Sequence, residues 1–309
     1  MDRSNVLLEK SVGSLLLEFS IPAIVGMVVN ALYIVIDRIF IGNVVGAFAI
    51  SGVSLTFPIG ILIIAFALLI GIGAAACISI RLGQKKRDEA ENILGNAFIL
   101  LIISSVIVTV LGLAFMDPIL FSFGASSNTI EYARQFISII LAGCTFQIVG
   151  FGLNNIIRAE GNPKMAMVTM LIGAVLNIIL DYVFIVIFHF GIRGAATATV
   201  ISQAVVLIWV LSYFMGDKCL LKLKIKYFKL NKNLVLSIFA IGMSPFVMQV
   251  AASAVNIILN KSLAVYGGDL AIGAMGIINS VVTMILMPVF GVNQGAQPII
   301  GYNYGAGQY

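Results

Sequence analysis

Eight stretches of the chain, roughly 15–40, 50–80, 92–115, 130–157, 165–188, 194–215, 233–262 and 271–300, are each long and apolar enough to cross a lipid bilayer. A helix rises about 1.5 Å per residue, so roughly 20 mostly apolar residues span a hydrocarbon core of about 30 Å. No water is present in that core to bond an open backbone group, so spans of this length must close their own hydrogen bonds as helices. Composition agrees: 61% of residues are hydrophobic and 10% are charged, where a soluble domain carries about a quarter charged. The expected fold class is an all-α membrane protein, a polytopic helical bundle. The first stretch is longer than the apolar part of a signal peptide and lacks a small-residue cleavage site. Pro22, Pro58, Pro245 and Pro288 fall within spans, which predicts kinks there, with the freed backbone groups met by neighbouring helices or a wet cavity.

The lysines and arginines set an orientation. Arg3 and Lys10 precede the first span, and Arg81, Lys85, Lys86 and Arg87 follow the second. Arg158 and Lys164 follow the fourth, and Lys218, Lys222, Lys224, Lys226, Lys229 and Lys232 follow the sixth. Arg38, Arg134, Arg193 and Lys261 are scattered on the opposite side. The positive-inside rule then places the amino terminus and the even-numbered loops in the cytoplasm, in a multi-pass protein of the cell (plasma) membrane. The basic sixth loop reads as a topology signal and linker rather than a nucleic-acid surface.

The spans repeat. Pro22 and Asp37 are 15 residues apart, as are Pro245 and Asn260, and each polar residue is followed by a base, Arg38 or Lys261. Gly46 with Ala49 and Ile50 matches Gly268 with Ala271 and Ile272 at an offset of 222, and Gly73, Ala74 and Gly83 match Gly295, Ala296 and Gly305 at that offset. A parallel repeat about an axis along the membrane normal is a transporter architecture. The expected organisation is an amino-terminal six-helix lobe over 1–215, a basic cytoplasmic linker over 216–232, and the first two helices of a second lobe over 233–309. On that logic the chain reads as a truncated part of a protein of about twelve spans.

Two carboxylates lie deep in apolar runs: Asp37 in VIDRIF and Asp181 in NIILDYVF. A charge at a helix centre costs roughly 2.5–3.5 kcal/mol on insertion scales, so such residues face protein or water and usually serve function. Both are expected in the outer half of the membrane, sharing one outward-facing cavity. Asn30, Tyr33 and Asp37 share a helical face, as do Asn177 and Asp181, and Thr199 and Gln203. Asn154 and Asn155 add a polar step to the fourth span. The neutral polar groups alone are equally read as glue between helices; the two carboxylates favour an ion or proton site. His189, the only histidine, reads as a solvated loop residue. Cys77, Cys144 and Cys219 are far apart with no CxxC, so neither a disulfide framework nor a metal cluster is indicated. HExxH, GxSxG and GxxxxGK[ST] are all absent, so the chain is not expected to be an enzyme or to need a cofactor. GIGAAA at 71–76 reads as close helix packing rather than a phosphate loop.

NALYIVIDRIFIGN (30–43), RAEGNPK (158–164), NIILDYVF (177–184), GAATATVISQ (194–203) and GYNYGAG (301–307) together resemble the multidrug and toxic compound extrusion (MATE) family. The resemblance runs from about Leu15 to Gly305 and covers the first eight of the family's twelve helices. It implies secondary antiport: lipophilic, often cationic compounds leave as protons or sodium ions enter, and two six-helix lobes alternate access. It also implies that Asp37, Asn177, Asp181 and Thr199 bind the coupling cation, with a possible Na+ among their oxygens. Tyr33 matches a tyrosine one turn before the helix-one aspartate, and Pro22 matches the proline at which that helix is proposed to bend. Some members carry an acid on helix seven, where this chain has the uncharged stripe Gln249, Ser253, Asn256 and Asn260.

On this reading the partners are lipophilic or cationic small molecules and the bilayer, with no nucleic acid. A flippase of lipid-linked saccharides is the main rival; it predicts a basic cavity, whereas the spans read as almost free of buried cations. A non-transporting membrane scaffold, the other rival, predicts that both aspartates are dispensable.

Overall fold

The computed structural model describes residues 11–217 and 219–308. The basic residues Arg3, Lys10 and Lys218 lie outside that range. The described residues form helices α1 (Val12–Val44), α2 (Ala47–Gly83), α3 (Arg87–Ala114), a short α4 (Met116–Ser122), α5 (Ile130–Ala142), α6 (Cys144–Ala159), α7 (Pro163–Asp181), α8 (Gly191–Met215), α9 (Lys232–Tyr266) and α10 (Gly268–Ala306). Among the described residues seven helices are long and apolar enough to cross a membrane, α7 being counted with the π-helical turn Tyr182–Ile187 that continues it. The fourth expected span is α5 and α6 together, bent by 56° at Gly143. Pro22, Pro58, Pro245 and Pro288 are each carried inside a continuous helix.

Local chemistry sets several boundaries. Asn162 caps α7 by accepting from the Met165 amide at 3.3 Å, and Pro163 occupies the first turn, where a missing N–H costs nothing. Asn231 caps α9 through the Asn233 amide at 3.0 Å. The π turn after Asp181 widens the helix at a candidate functional residue, where such bulges concentrate. His189, at φ 56°, closes the connection into α8.

α2 is the central helix. Its most apolar window is 61% buried, against 11% for that of α9. It packs against α3, α5, α6, α9 and α10, while α1 packs against α7 and α10, and α8 against α5, α6 and α7. Gly71 and Gly73, in the apolar GIGAAA run, are packing residues. A Cβ at Gly71 would fall 2.9 Å from the Cα of Gly152, and one at Gly73 would strike the backbone of Ile238.

The contact between α2 and α10 pairs residues with their counterparts 222 positions later. Gly273 lies against Ser51, Gly276 against Ser54 and Gly301 against Ser79. The first two pairs mark the end of the bundle where α2 begins; the third marks the end that carries Arg81, Lys85 and Lys86.

The segment between α8 and α9 is folded onto the basic end rather than left loose. The Lys222 amide donates to Glu91 at 3.3 Å, and the Lys224 ammonium pairs with the same carboxylate. The Leu221 amide donates to Glu160 at 3.1 Å, and the Asn231 amide donates to Asn96 at 2.7 Å. Glu91 and Glu160 are 2% and 0% exposed, so these bonds are made in a dry setting where they are strong.

Candidate functional site

A cavity of about 140 Å³ opens between α1, α6, α7 and α8. Asn30, Tyr33 and Ile34 of α1 line it, with Gln147, Phe151 and Asn154 of α6, Thr169, Gly173 and Asn177 of α7, and Thr199, Ser202, Gln203 and Val206 of α8. Six residues singled out from the sequence (Asn30, Tyr33, Asn154, Asn177, Thr199 and Gln203) therefore meet around one space. Helical spacing explains it: Asn30 and Tyr33 are three apart, and Thr199 and Gln203 four apart, so each pair presents one face.

Asp37 and Asp181 do not line the cavity, contrary to the expectation of a shared open pocket. Asp181 is fully buried at the last turn of α7, four residues after Asn177. The two carboxylates are within electrostatic reach of each other, and the Tyr33 phenol is within reach of both. Asn177 ties two walls together, its Nδ2 donating to Thr199 Oγ1 at 3.3 Å, while Thr199 donates back to the Ala195 carbonyl at 3.0 Å.

The acceptors of this cluster outnumber its donors. Both carboxylate oxygens of Asp181, one of Asp37 and the amide oxygens of Asn154 and Asn177 are buried without a hydrogen-bond partner. A buried polar atom left unsatisfied costs about 1–3 kcal/mol, and a charged one more. Such a set of hard oxygens suits a proton or a small hard cation, which supplies the missing positive partner. Among the described residues no group of three His, Cys, Asp or Glu could hold a metal ion.

Asn155 is placed apart from the other candidates. It is 3% exposed, accepts from Arg158 at 2.7 Å and donates to the Phe151 carbonyl at 3.0 Å. Pro22 lies buried in α1, about two turns before Asn30. The reading of the spans as almost free of buried cations needs correction: Arg38 and Arg158 are 7% and 3% exposed. An arginine near a span end reads as a solvated loop residue, and only packing reveals otherwise. Neither guanidinium lines the cavity, so the cavity wall itself is uncharged. Sequence reasoning also missed Gln147 and Thr169, whose polar groups stand alone in apolar runs with no partner at ±3 or ±4, and Ser202, which lies three residues after Thr199 and shares its face.

The family model MatE matches residues 22–183 and again 245–309. The chain belongs to the MatE family. The second match covers the stretch in which the sequence repeats. Multidrug export protein MepA of Staphylococcus haemolyticus (strain JCSC1435) is 31% identical over 296 residues, covering 96% of this chain and 65% of that protein. MepA of Staphylococcus aureus (strain MRSA252) is 31% identical over 289 residues, covering 94% and 64%. The chain thus spans just under two thirds of the length of these MATE relatives. The solved MATE multidrug transporter DinF-BH, in complex with a dye, superposes with a TM-score of 0.92 at 40% identity, over 96% of this chain and 66% of that one. A MATE family transporter of the MOP superfamily in an outward-facing conformation superposes with a TM-score of 0.88 at 27% identity, over 98% and 67%. The expected membership and the all-α membrane fold both hold. MATE proteins are transporters rather than enzymes, and the chain is a multi-pass membrane protein of that family.

Proposed function

We propose that this chain carries the cation-coupling half of a multidrug efflux antiporter, which exports lipophilic or cationic compounds in exchange for H+ or Na+. The observation that carries this reading is the pair Asp37 and Asp181, which carry unpartnered buried oxygens one helical turn beyond the lining residues Tyr33 and Asn177. Two carboxylates at close range favour holding a cation between them. Asn177, Thr199 and Tyr33 orient them or add oxygens, and a Na+ would sit among Asp37, Asn177, Asp181 and Thr199. Asn30, Asn154 and Gln203 supply scattered polar contacts in a largely apolar cavity, a lining that accepts varied compounds with few fixed hydrogen bonds. The names of the MepA and DinF-BH relatives support multidrug export, and the dye complex of DinF-BH supports a small-molecule substrate.

The same reading takes the chain as a six-helix lobe over 1–215, a linker over 216–232 and part of a second lobe over 233–309. The two separate family-model matches and the 222-residue pairing of α2 with α10 support it. It places the basic end in the cytoplasm, and Pro22 as the point where α1 bends during the cycle. The uncharged cavity wall disfavours a lipid-pyrophosphate flippase, which needs cations to hold its anionic group.

Dye efflux from vesicles, driven separately by a pH gradient and a sodium gradient, tests the reading. Asp37→Asn and Asp181→Asn should each abolish gradient-driven efflux. Export at the unmodified rate by either variant would overturn the coupling assignment, and the response to one gradient alone identifies the ion.

A further inference from the structure

We propose that Arg158 is an anion-binding residue at the end of the cavity nearer the basic loops, where its guanidinium takes the carboxylate of an acidic or zwitterionic compound. The inference rests on the cavity as the place where exported compounds bind, as proposed above. Phe151 and Asn154 of α6 line that cavity. Arg158 follows them by seven and four residues, so it continues their face one turn further, about 6 Å along the helix. The residue is 3% exposed. Its Nη1 lies 3.9 Å from the sulfur of Met170, which lines the cavity from α7. Met170 also fills a notch at Gly26 of α1, where a Cβ would fall 2.9 Å from the same sulfur. One side chain therefore touches the open space and the guanidinium alike. A methionine chain is unbranched and turns about three bonds, so it can move aside for a ligand.

No ion pair among the described residues includes Arg158. The carboxylate nearest to it in sequence, Glu160, is engaged elsewhere, accepting from the Tyr213 hydroxyl and the Leu221 amide. The partners of the guanidinium are one neutral oxygen, Asn155 Oδ1 at 2.7 Å, and the Met170 sulfur, a weak acceptor. A guanidinium has more N–H donors than these two contacts use. A buried cation in a span is costly without a counter-charge, and packing alone does not call for one. An arriving carboxylate supplies that charge and fits the planar fork with two parallel bonds. A pyrophosphate carries more charge than one guanidinium balances, and no second base assists. Arg38 donates to Ser54 on α2, and Lys164 is exposed. The site therefore suits a compound with an apolar body and a single acidic group.

Equilibrium binding of two matched dyes tests the assignment without relying on transport. Rhodamine 6G carries an ethyl ester, and rhodamine 19 is the same dye with the free carboxylate. Binding of each to the purified full chain in detergent at neutral pH is followed by fluorescence anisotropy. Arg158→Gln should weaken rhodamine 19 at least tenfold and leave rhodamine 6G within twofold. Arg158→Lys, which keeps the charge and loses the fork, should recover at least threefold of that loss. Met170→Ala uncovers the guanidinium and should raise the affinity for rhodamine 19 relative to rhodamine 6G at least threefold, a check that stands if Arg158→Gln does not fold. Equal weakening of both dyes by Arg158→Gln marks a packing role and overturns the proposal. Rhodamine 19 affinity that neither Arg158→Gln nor Met170→Ala alters overturns it too, as does an unmodified chain that binds only the ester. In each of these cases binding of rhodamine 6G to the unmodified chain leaves the cavity reading intact. Failure of both dyes to bind the unmodified chain overturns the cavity reading and the proposal together.

Discussion

Gly305 stands directly against the backbone carbonyl of Ile80, leaving no room for a Cβ. The relation is reciprocal, because Gly83 stands against the carbonyl of Tyr302 in the same way, and each partner is displaced by 222 residues. Two parallel copies of one helix meeting across a two-fold axis produce this pairing. Alanine at either glycine must push the helices apart, and overpacking of this kind costs about 1–3 kcal/mol. Gly83→Ala and Gly305→Ala should each lower the unfolding temperature in detergent. The double substitution should cost less than the sum of the two, since neighbours in one contact are not additive. Strictly additive losses would show that the two glycines do not share a contact.

The Asn177–Thr199 bond gives a second expectation at the candidate site. Thr199→Val keeps the shape and removes the acceptor, leaving the Asn177 amide donor buried without its partner. The penalty for such an orphan is about 1–3 kcal/mol. Thermal unfolding should register that loss, and Thr199→Ser, which retains the hydroxyl, should recover most of it. If valine is as stable as threonine, Asn177 has another partner and the bond is dispensable.

The spans were legible because run length is a direct readout of bilayer thickness, and the acids at 37 and 181 stood out because so few charges are tolerated there. Helical spacing then gathered Asn30 with Tyr33 and Thr199 with Gln203, and these residues do share a cavity. The 56° break at Gly143 was hidden, because a glycine in an apolar run signals packing as readily as a bend. That the carboxylates are not among the lining residues was also hidden, since spacing fixes a face but not the depth of a side chain. Arg158 reads from sequence as a loop cation and Arg38 as a base near a span end; their burial depends on helices that are distant in the chain.

The basic segment between α8 and α9 reads in sequence as a topology signal and linker, and in the structure its backbone is held by Glu91, Glu160 and Asn96. Trypsin needs several residues of extended, accessible backbone, so Lys222 and Lys224 should resist cleavage in the folded chain although they are partly exposed. Asn96→Ala removes the acceptor for the Asn231 amide, and Glu91→Ala removes the one for Lys222. Each should raise the initial rate of cleavage within 219–232 at least threefold, measured by intact mass. Rapid cleavage of the unmodified chain at Lys222 would show that the segment is loose.

Cys219 offers a chemical reading of the same segment. Its thiol is 6% exposed and donates to the Gly216 carbonyl at 3.2 Å. Burial pushes its pKa above the ordinary thiol value, and the nearby Glu160 carboxylate pushes it in the same direction. The thiolate is the reacting form, so a raised value means less of it at neutral pH. Alkylation by iodoacetamide at about pH 7.5 should therefore be at least tenfold slower at Cys219 than in the denatured chain. The rate should climb only once the pH passes the usual thiol range. Glu160→Gln removes the second cause and weakens the bond to the Leu221 amide, so it should speed labelling of Cys219 and leave Cys144 unchanged, as site-resolved mass spectrometry would show. Equal labelling of Cys219 in the folded and denatured chains would mean that the segment does not shield it.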